Sequence, residues 1–272
     1  MKKIFILSVI ILGTIAYYGG AQTQPDLFNK ALNHLCSYNL PAPVDSFLAE
    51  KFLPQNFWLH RTNSAAKLDQ FIDKYHGFEM DIIYYPANHA FENSHDNVSL
   101  EKYSLEKQFI YFKQHNITTP DLWLDFKNLT TANAQLSLND LDALLKDYQI
   151  NKKNIWIESS NFQSLALFKK AGYKTSYYFP YYDFKNMSNT EITHIKELTE
   201  QIATSPGINA ISFDGIYYDF IETLTLPPNI SLLTWLHTKN WRQVFWSPEN
   251  KKFLLDERIK IILVKDRSRF NR

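Results

Sequence analysis

Charged side chains recur in pairs through the first half of the sequence. Glu79 and Asp81 lie two apart in "GFEMDIIYY", and Asp125 and Lys127 lie two apart in "DLWLDFK". His60 and Arg61 close "FWLHR", and His95 precedes Asp96 in "ENSHD". Residues i and i+2 of a strand share one face. Glu79 and Asp81 therefore face one interior together, where two ionised carboxylates repel, lose hydration and need a cation or a proton between them. With Asp125 from a neighbouring strand they would make a hard oxygen site suited to one divalent cation, Mg2+ or Ca2+. The His and Cys ligands that zinc prefers are missing from the set. His60 and His95 could then flank a group bound at the ion. One imidazole as base and one as acid suit phosphoryl transfer. Lys127, facing the same way as Asp125, could hold a phosphate oxygen.

The elements that must carry these residues alternate along the chain. Strands are expected at 57–60, 77–85, 121–127, 154–159, 173–179, 208–214, 231–237 and 259–266. Helices are expected at 65–75, 99–115, 137–148, 162–171, 188–204 and 241–257, with a short, weak one after 214 and a loop between 85 and 96. Apolar strands alternating with helices imply βαβ units and a parallel sheet. Eight such units predict a single-domain (β/α)8 TIM barrel, with an open doubly wound sheet as the alternative. The segment Asp26–Leu40 could cap the barrel bottom, which divides the chain into 1–21, 22–56 and 57–272. In such a barrel chemistry sits at the C-terminal strand ends, where His60, Arg61, Glu79, Asp81, Asp125, Lys127, Glu158, Asp214, His237 and Asp266 all fall. The plainer reading, that strand ends meet solvent, serves Asp214, His237 and Asp266 at least as well. It serves Glu79 and Asp81 less well, because "MDIIYY" continues the strand past them.

Composition narrows the field. A hydrophobic fraction of 45 % and an aromatic fraction of 15 % can build a core, which excludes disorder. The net charge of +1 gives no broad electrostatic footprint for nucleic acid. Seven glycines, none in a Gly-rich phosphate loop, give no nucleotide signature. "MKKIFILSVIILGTIAYYGGA" has two lysines, an apolar run and small residues at its end, as a signal peptide does. Export to a periplasm or the cell exterior is expected, with an uncleaved signal anchor as the variant. The single Cys36 cannot form an internal disulfide and reads as a small buried hydrophobe.

Taken in order, "HR" (His60, Arg61), "EMD" (Glu79, Asp81), "HD" (His95, Asp96) and "DFK" (Asp125, Lys127) resemble the glycerophosphodiester phosphodiesterase family of the phospholipase-C-like superfamily. The resemblance runs from about His60 to Phe270, with "LLTWLH" similar to that family's Trp-bearing seventh strand. It implies His60 and His95 as the acid/base pair, Glu79, Asp81 and Asp125 as metal ligands, and Arg61, Lys127 and Trp235 as substrate contacts. There are departures. Thr62 stands where the family has Gly, the gap from His60 to Glu79 is short, and Asp125 stands where Glu is usual. The short gap, the His60-x-x-Asn63 start and the Asp-x-Lys resemble the sphingomyelinase D branch, although its paired cysteines are missing. "HRTNS", "SHDNVSL" and "WLDFK" are also similar to the menorin-like branch.

The expected function is an exported, metal-dependent phosphodiesterase, a phosphoric diester hydrolase acting on a glycerophosphodiester or phospholipid head group. Two alternatives stand beside it. One is a sphingomyelinase-D-like lipase in which a substrate hydroxyl cyclises onto phosphorus. The other is an inactive barrel serving as a binding protein, for which the unneutralised interior carboxylates offer no reason. Tyr177, Tyr178, Tyr181 and Tyr182 offer a membrane-surface contact, against the plainer reading of strand packing followed by a loop.

Overall fold

A computed structural model describes residues 42–94, 103–117, 120–236 and 240–266, and among these residues nine strands and nine α-helices follow the alternation of the sequence. The export segment, Cys36, His95, Asp96 and His237 lie outside the described residues. The strands are β1 (Phe57–Leu59), β2 (Gly77–Tyr85), β3 (Ala90–Asn93), β4 (Asp121–Phe126), β5 (Ile155–Ser159), β6 (Lys174–Tyr178), β7 (Ala210–Asp214), β8 (Ser231–Trp235) and β9 (Ile259–Val264). The helices are α1 (Ala42–Phe52), α2 (Ala65–Phe71), α3 (Leu105–Gln114), α4 (Ala134–Asp147), α5 (Phe162–Lys170), α6 (Asn189–Ala203), α7 (Tyr218–Glu222), α8 (Trp241–Trp246) and α9 (Lys251–Leu255).

All strands but β3 run parallel and close into a ring, β1-β2-β4-β5-β6-β7-β8-β9 and back to β1. This is the expected TIM barrel, and it excludes the open sheet. Two apolar clusters follow from the alternation of strand side chains. Trp58, Trp123, Trp156, Ala210, Leu233, Trp235, Ile261 and Leu263, all from strands, fill the barrel interior. Phe78, Met80, Ile82, Leu122 and Leu124 point the other way and pack with helix residues such as Leu68, Phe109 and Leu141. Gly77 is dictated by this interior. A Cβ there would lie 2.0 Å from Cδ2 of Trp58, so only a hydrogen leaves room for the indole.

Three expectations are corrected. The loop expected after β2 contains β3, which pairs antiparallel with Ile82–Tyr85 beyond the barrel rim. Its alternation of half-buried and buried residues over "AFEN" is too brief to register as a strand signal. The helix expected at 137–148 starts earlier, at Ala134, and Ser137 lies buried inside α4, its hydroxyl donating to the Ala134 carbonyl. The helix expected at 241–257 is broken into α8 and α9, because Pro248 opens a 3-10 turn between them.

Helix α1 lies on the outer flank. Asp45 accepts from Lys74 Nζ, just beyond α2, at 2.7 Å and from Arg242 of α8, and Phe52 meets Trp246 of α8 edge to face at 5.8 Å. The flank between α2 and the helix after β8 is where the eighth outer helix of such a barrel belongs.

Candidate active site

The carboxylates sit on β2 and β4 because those strands pair in register. Glu79 stands opposite Trp123, and Asp81 opposite Asp125. Since Phe78, Met80 and Ile82 face the helices, Glu79 and Asp81 must face the barrel axis. They are 2 % and 1 % exposed. One oxygen from each of Glu79, Asp81 and Asp125 lies within 4.8 Å of the others. That is the span that ligands of one Ca2+-sized ion cover at usual distances of about 2.3–2.6 Å. The predicted ligand trio is thus brought together at the C-terminal mouth of the barrel.

The turn after β1 supports it. Arg61 adopts a left-handed conformation, φ 57, which aims its N–H at Glu79 Oε2, 2.6 Å away. The Thr62 N–H and hydroxyl both donate to the Glu79 carbonyl, each at 2.8 Å. Asn63 locks onto Asp81 twice: its Nδ2 donates to Oδ2 at 2.6 Å, and its Oδ1 accepts from the Asp81 N–H at 3.0 Å. His60 Nε2 stands 3.6 Å from Glu79 Oε2, and Arg61 Nε stands 3.9 Å from Asp81 Oδ2. Lys127 donates to Asp81 Oδ1 at 2.7 Å and to Asp125 Oδ2. Lys67, in the first turn of α2, donates from a buried Nζ to the His60 carbonyl.

Electrostatics follow the geometry. Burial, then repulsion by Asp81 and Asp125, holds the Glu79 carboxyl well above the usual range, opposed by the Arg61 N–H and Lys127. Burial works against the Lys127 charge, but Asp125 and Asp81 more than offset it and raise its pKa. Burial lowers Lys67 to about 8 against the attraction of Glu79 and Asp266.

Opening above the carboxylates is a cavity of about 180 Å3. His60, Arg61 and Lys127 line it together with the aromatic side chains of Tyr178, Tyr181, Tyr217 and Trp235. Trp235, 8 % exposed, stacks on Tyr178 at 5.6 Å and 12°. Of the four tyrosines named in the sequence, Tyr177 is buried, Tyr178 and Tyr182 are half-buried, and Tyr181 stands 72 % exposed at the mouth. Asp214 also lines the cavity and bonds the Ile216 N–H, whereas Asp266 lies elsewhere, bound by Lys74 and Tyr75.

Glu158 was visible in the sequence only as a strand-end charge, yet it belongs to this wall. It is 2 % exposed, paired in register with Asp125, and takes hydrogen bonds from Ser212 Oγ at 2.7 Å and from Trp123 Nε1. Burial and Asp125 push its carboxyl well above the ordinary range. Its place in "NIWIES", at the same strand-end level as Asp125, was the available signal. Lys67 gave none, since a lysine in a helix start reads as a solvated side chain.

The donor set suits a hard divalent cation. The carboxylates of Glu79, Asp81 and Asp125 outnumber the two basic side chains beside them, Arg61 and Lys127, and a divalent ion would offset that excess of negative charge.

No family model matches the chain, and no curated protein matches it. Solved structures do. A glycerophosphodiester phosphodiesterase from Parabacteroides distasonis is 12% identical over 78% of this chain and 93% of its own, with TM-score 0.48. A phosphodiesterase from Oleispira antarctica, in complex with the product sn-glycerol-3-phosphate, is 11% identical over 81% and 96%, with TM-score 0.48. A calcium-dependent phosphoinositol-specific phospholipase C from Pseudomonas sp is 10% identical over 76% and 87%, with TM-score 0.48.

Proposed function

We propose that this protein is a divalent-cation-dependent phosphodiesterase, a phosphoric diester hydrolase acting on a glycerophosphodiester or phospholipid head group. The observation that carries the reading is the convergence of Glu79, Asp81 and Asp125, with His60, Arg61 and Lys127 around them, at the C-terminal mouth of a TIM barrel. Glu79, Asp81 and Asp125 would hold one Mg2+ or Ca2+. The ion, when bound, supplies Lewis-acid polarisation of a phosphoryl oxygen.

The remaining roles belong to side chains. Arg61 and Lys127 orient the phosphodiester by its non-bridging oxygens. His60, whose Nε2 faces the carboxylate cluster, takes or gives a proton at the attacking or leaving oxygen. His95, outside the described residues, is assigned the complementary proton transfer from its position in the sequence. The Tyr178–Trp235 stack forms an apolar wall for the alcohol portion of the substrate. Export, directed by residues 1–21, is part of the same proposal, as is a membrane-surface contact through Tyr181; no helix among the described residues is long and apolar enough to cross a membrane.

A panel of phosphodiesters, including a glycerophosphodiester, assayed with and without EDTA, tests the reading. We expect turnover that chelation abolishes and Ca2+ or Mg2+ restores, and a fall in kcat of about 10²–10⁴ for His60→Ala. A cyclic phosphate as product would move the assignment to the sphingomyelinase-D-like reaction. Absence of turnover on every diester, with or without cation, would leave the binding-protein reading.

A further inference from the structure

Lys67 is a charged side chain almost out of water, 8 % exposed, that the chemistry above does not use. Its place is fixed by α2, where its own N–H caps onto Ser64 Oγ at 3.3 Å. Burying an ammonium is costly unless it is paired or bonded. Here the Nζ donates to the carbonyl oxygen of His60. The other end of that same peptide unit is the Arg61 N–H, which donates to Glu79 Oε2 at 2.6 Å. A single peptide group therefore spans from a cation to a carboxylate, its carbonyl on the ammonium and its N–H on the anion. Both are charge-assisted bonds, the stronger kind.

This orientation is not the one the backbone would choose alone. It requires φ 57 at Arg61, a left-handed conformation that costs energy for any residue with a Cβ. Flipping the His60–Arg61 peptide would relieve that strain. It would also turn the carbonyl oxygen onto the Glu79 carboxylate and take the N–H away from it. Something must hold the carbonyl where it is, and the Lys67 ammonium donates to it.

We propose that Lys67 is a positioning residue, whose ammonium pins the His60–Arg61 peptide so that Glu79 keeps its N–H donor and the three-carboxylate cation site stays assembled. The inference rests on the metal-site reading given above. It makes a prediction opposite in sign to simple electrostatics. Removing a positive charge near a cation site should tighten cation binding, whereas losing the peptide clamp should weaken it. A residue that only filled space would lower stability and leave affinity alone.

The test is calorimetric titration of Ca2+ into the purified protein and its Lys67→Met variant, with melting curves in EDTA beside them. We expect the dissociation constant of Lys67→Met to rise at least tenfold while the protein still melts cooperatively, and Lys67→Arg to recover most of the loss. A crystal structure of Lys67→Met should show residue 61 returned to negative φ. Unchanged or tighter Ca2+ binding in Lys67→Met overturns the proposal. If that variant does not fold, Lys67→Gln, which keeps an uncharged donor for the carbonyl, takes its place, and wild-type affinity combined with a flipped peptide in that variant overturns it equally. Failure of the wild-type protein to bind Ca2+, Mg2+ or Mn2+ is a different result, which removes the metal-site reading itself.

Discussion

At the scale of single residues, Glu79 carries the sharpest consequence. Its carboxyl is held well above the usual range, first by burial and then by Asp81 and Asp125. A folded-state pKa above the unfolded one means that the native state binds the proton more tightly. The stability this contributes is fully present below the unfolded pKa and is lost as pH rises through the folded value. Glu158 has the same sign, from burial and Asp125. With EDTA present, the melting temperature should therefore fall as pH is raised from about 4.5 toward neutrality. A divalent cation favours the ionised form, so its binding should release a proton, and the melting curve in excess Ca2+ should lose most of that pH dependence. Calorimetry in two buffers of different ionisation enthalpy counts the proton directly. A Glu79→Gln variant that kept the same proton release would assign it to another group.

At the scale of elements, strands were more legible than helices, for a physical reason. The eight barrel strands are short apolar runs bounded by turn residues, and each appears where its run lies. Helix ends depend on caps, and caps depend on context. α4 starts at Ala134 rather than Ser137, and the proline between α8 and α9 decides their break. The carboxylate trio was legible because period-two spacing converts directly into facing. Glu158 and Lys67 were not, because their significance lies in which strand and which carbonyl sit beside them. Gly77 shows the reverse case, a residue whose reason appears only in three dimensions. A Cβ there would press on the Trp58 ring from 2.0 Å, at the base of the strand that carries Glu79 and Asp81. Overfilling a packed interior costs about 1–3 kcal/mol. Gly77→Ala should lower the urea midpoint by a corresponding amount, and adding Trp58→Leu to it should recover part of the loss. An alanine variant as stable as the wild type would mean that the indole can move aside.

At the scale of the whole molecule, the barrel is thinnest where its chemistry sits. β1 is three residues long and meets β2 through one register pair, Leu59 with Phe78, against three pairs with β9. The Thr62 bonds to the Glu79 carbonyl extend that seam past the end of the strand. On the outside the same seam is backed by α1, whose Asp45 joins Lys74 and Arg242. Lys74 in turn binds Asp266, beyond the end of β9. The first described helix and the last strand are thus tied across the closure by one chain of ion pairs. Removing Asp45 leaves Arg242, buried in the flank, without that carboxylate, while Lys74 keeps Asp266. Leaving a buried polar group short of a partner costs about 1–3 kcal/mol, more when it is charged. Asp45→Ala should therefore lower global stability by about 1–3 kcal/mol. It should also speed amide exchange first in α1, β1 and β9, with β4 to β7 protected until the protein unfolds as a whole. Cation affinity should change little, because Glu79 and Asp81 are held by Arg61, Thr62 and Asn63 rather than by the flank. A variant that lost protection evenly around the ring would show that α1 stabilises the barrel as a unit rather than its closure. A variant that lost cation binding along with flank protection would show that the seam and the site unfold together.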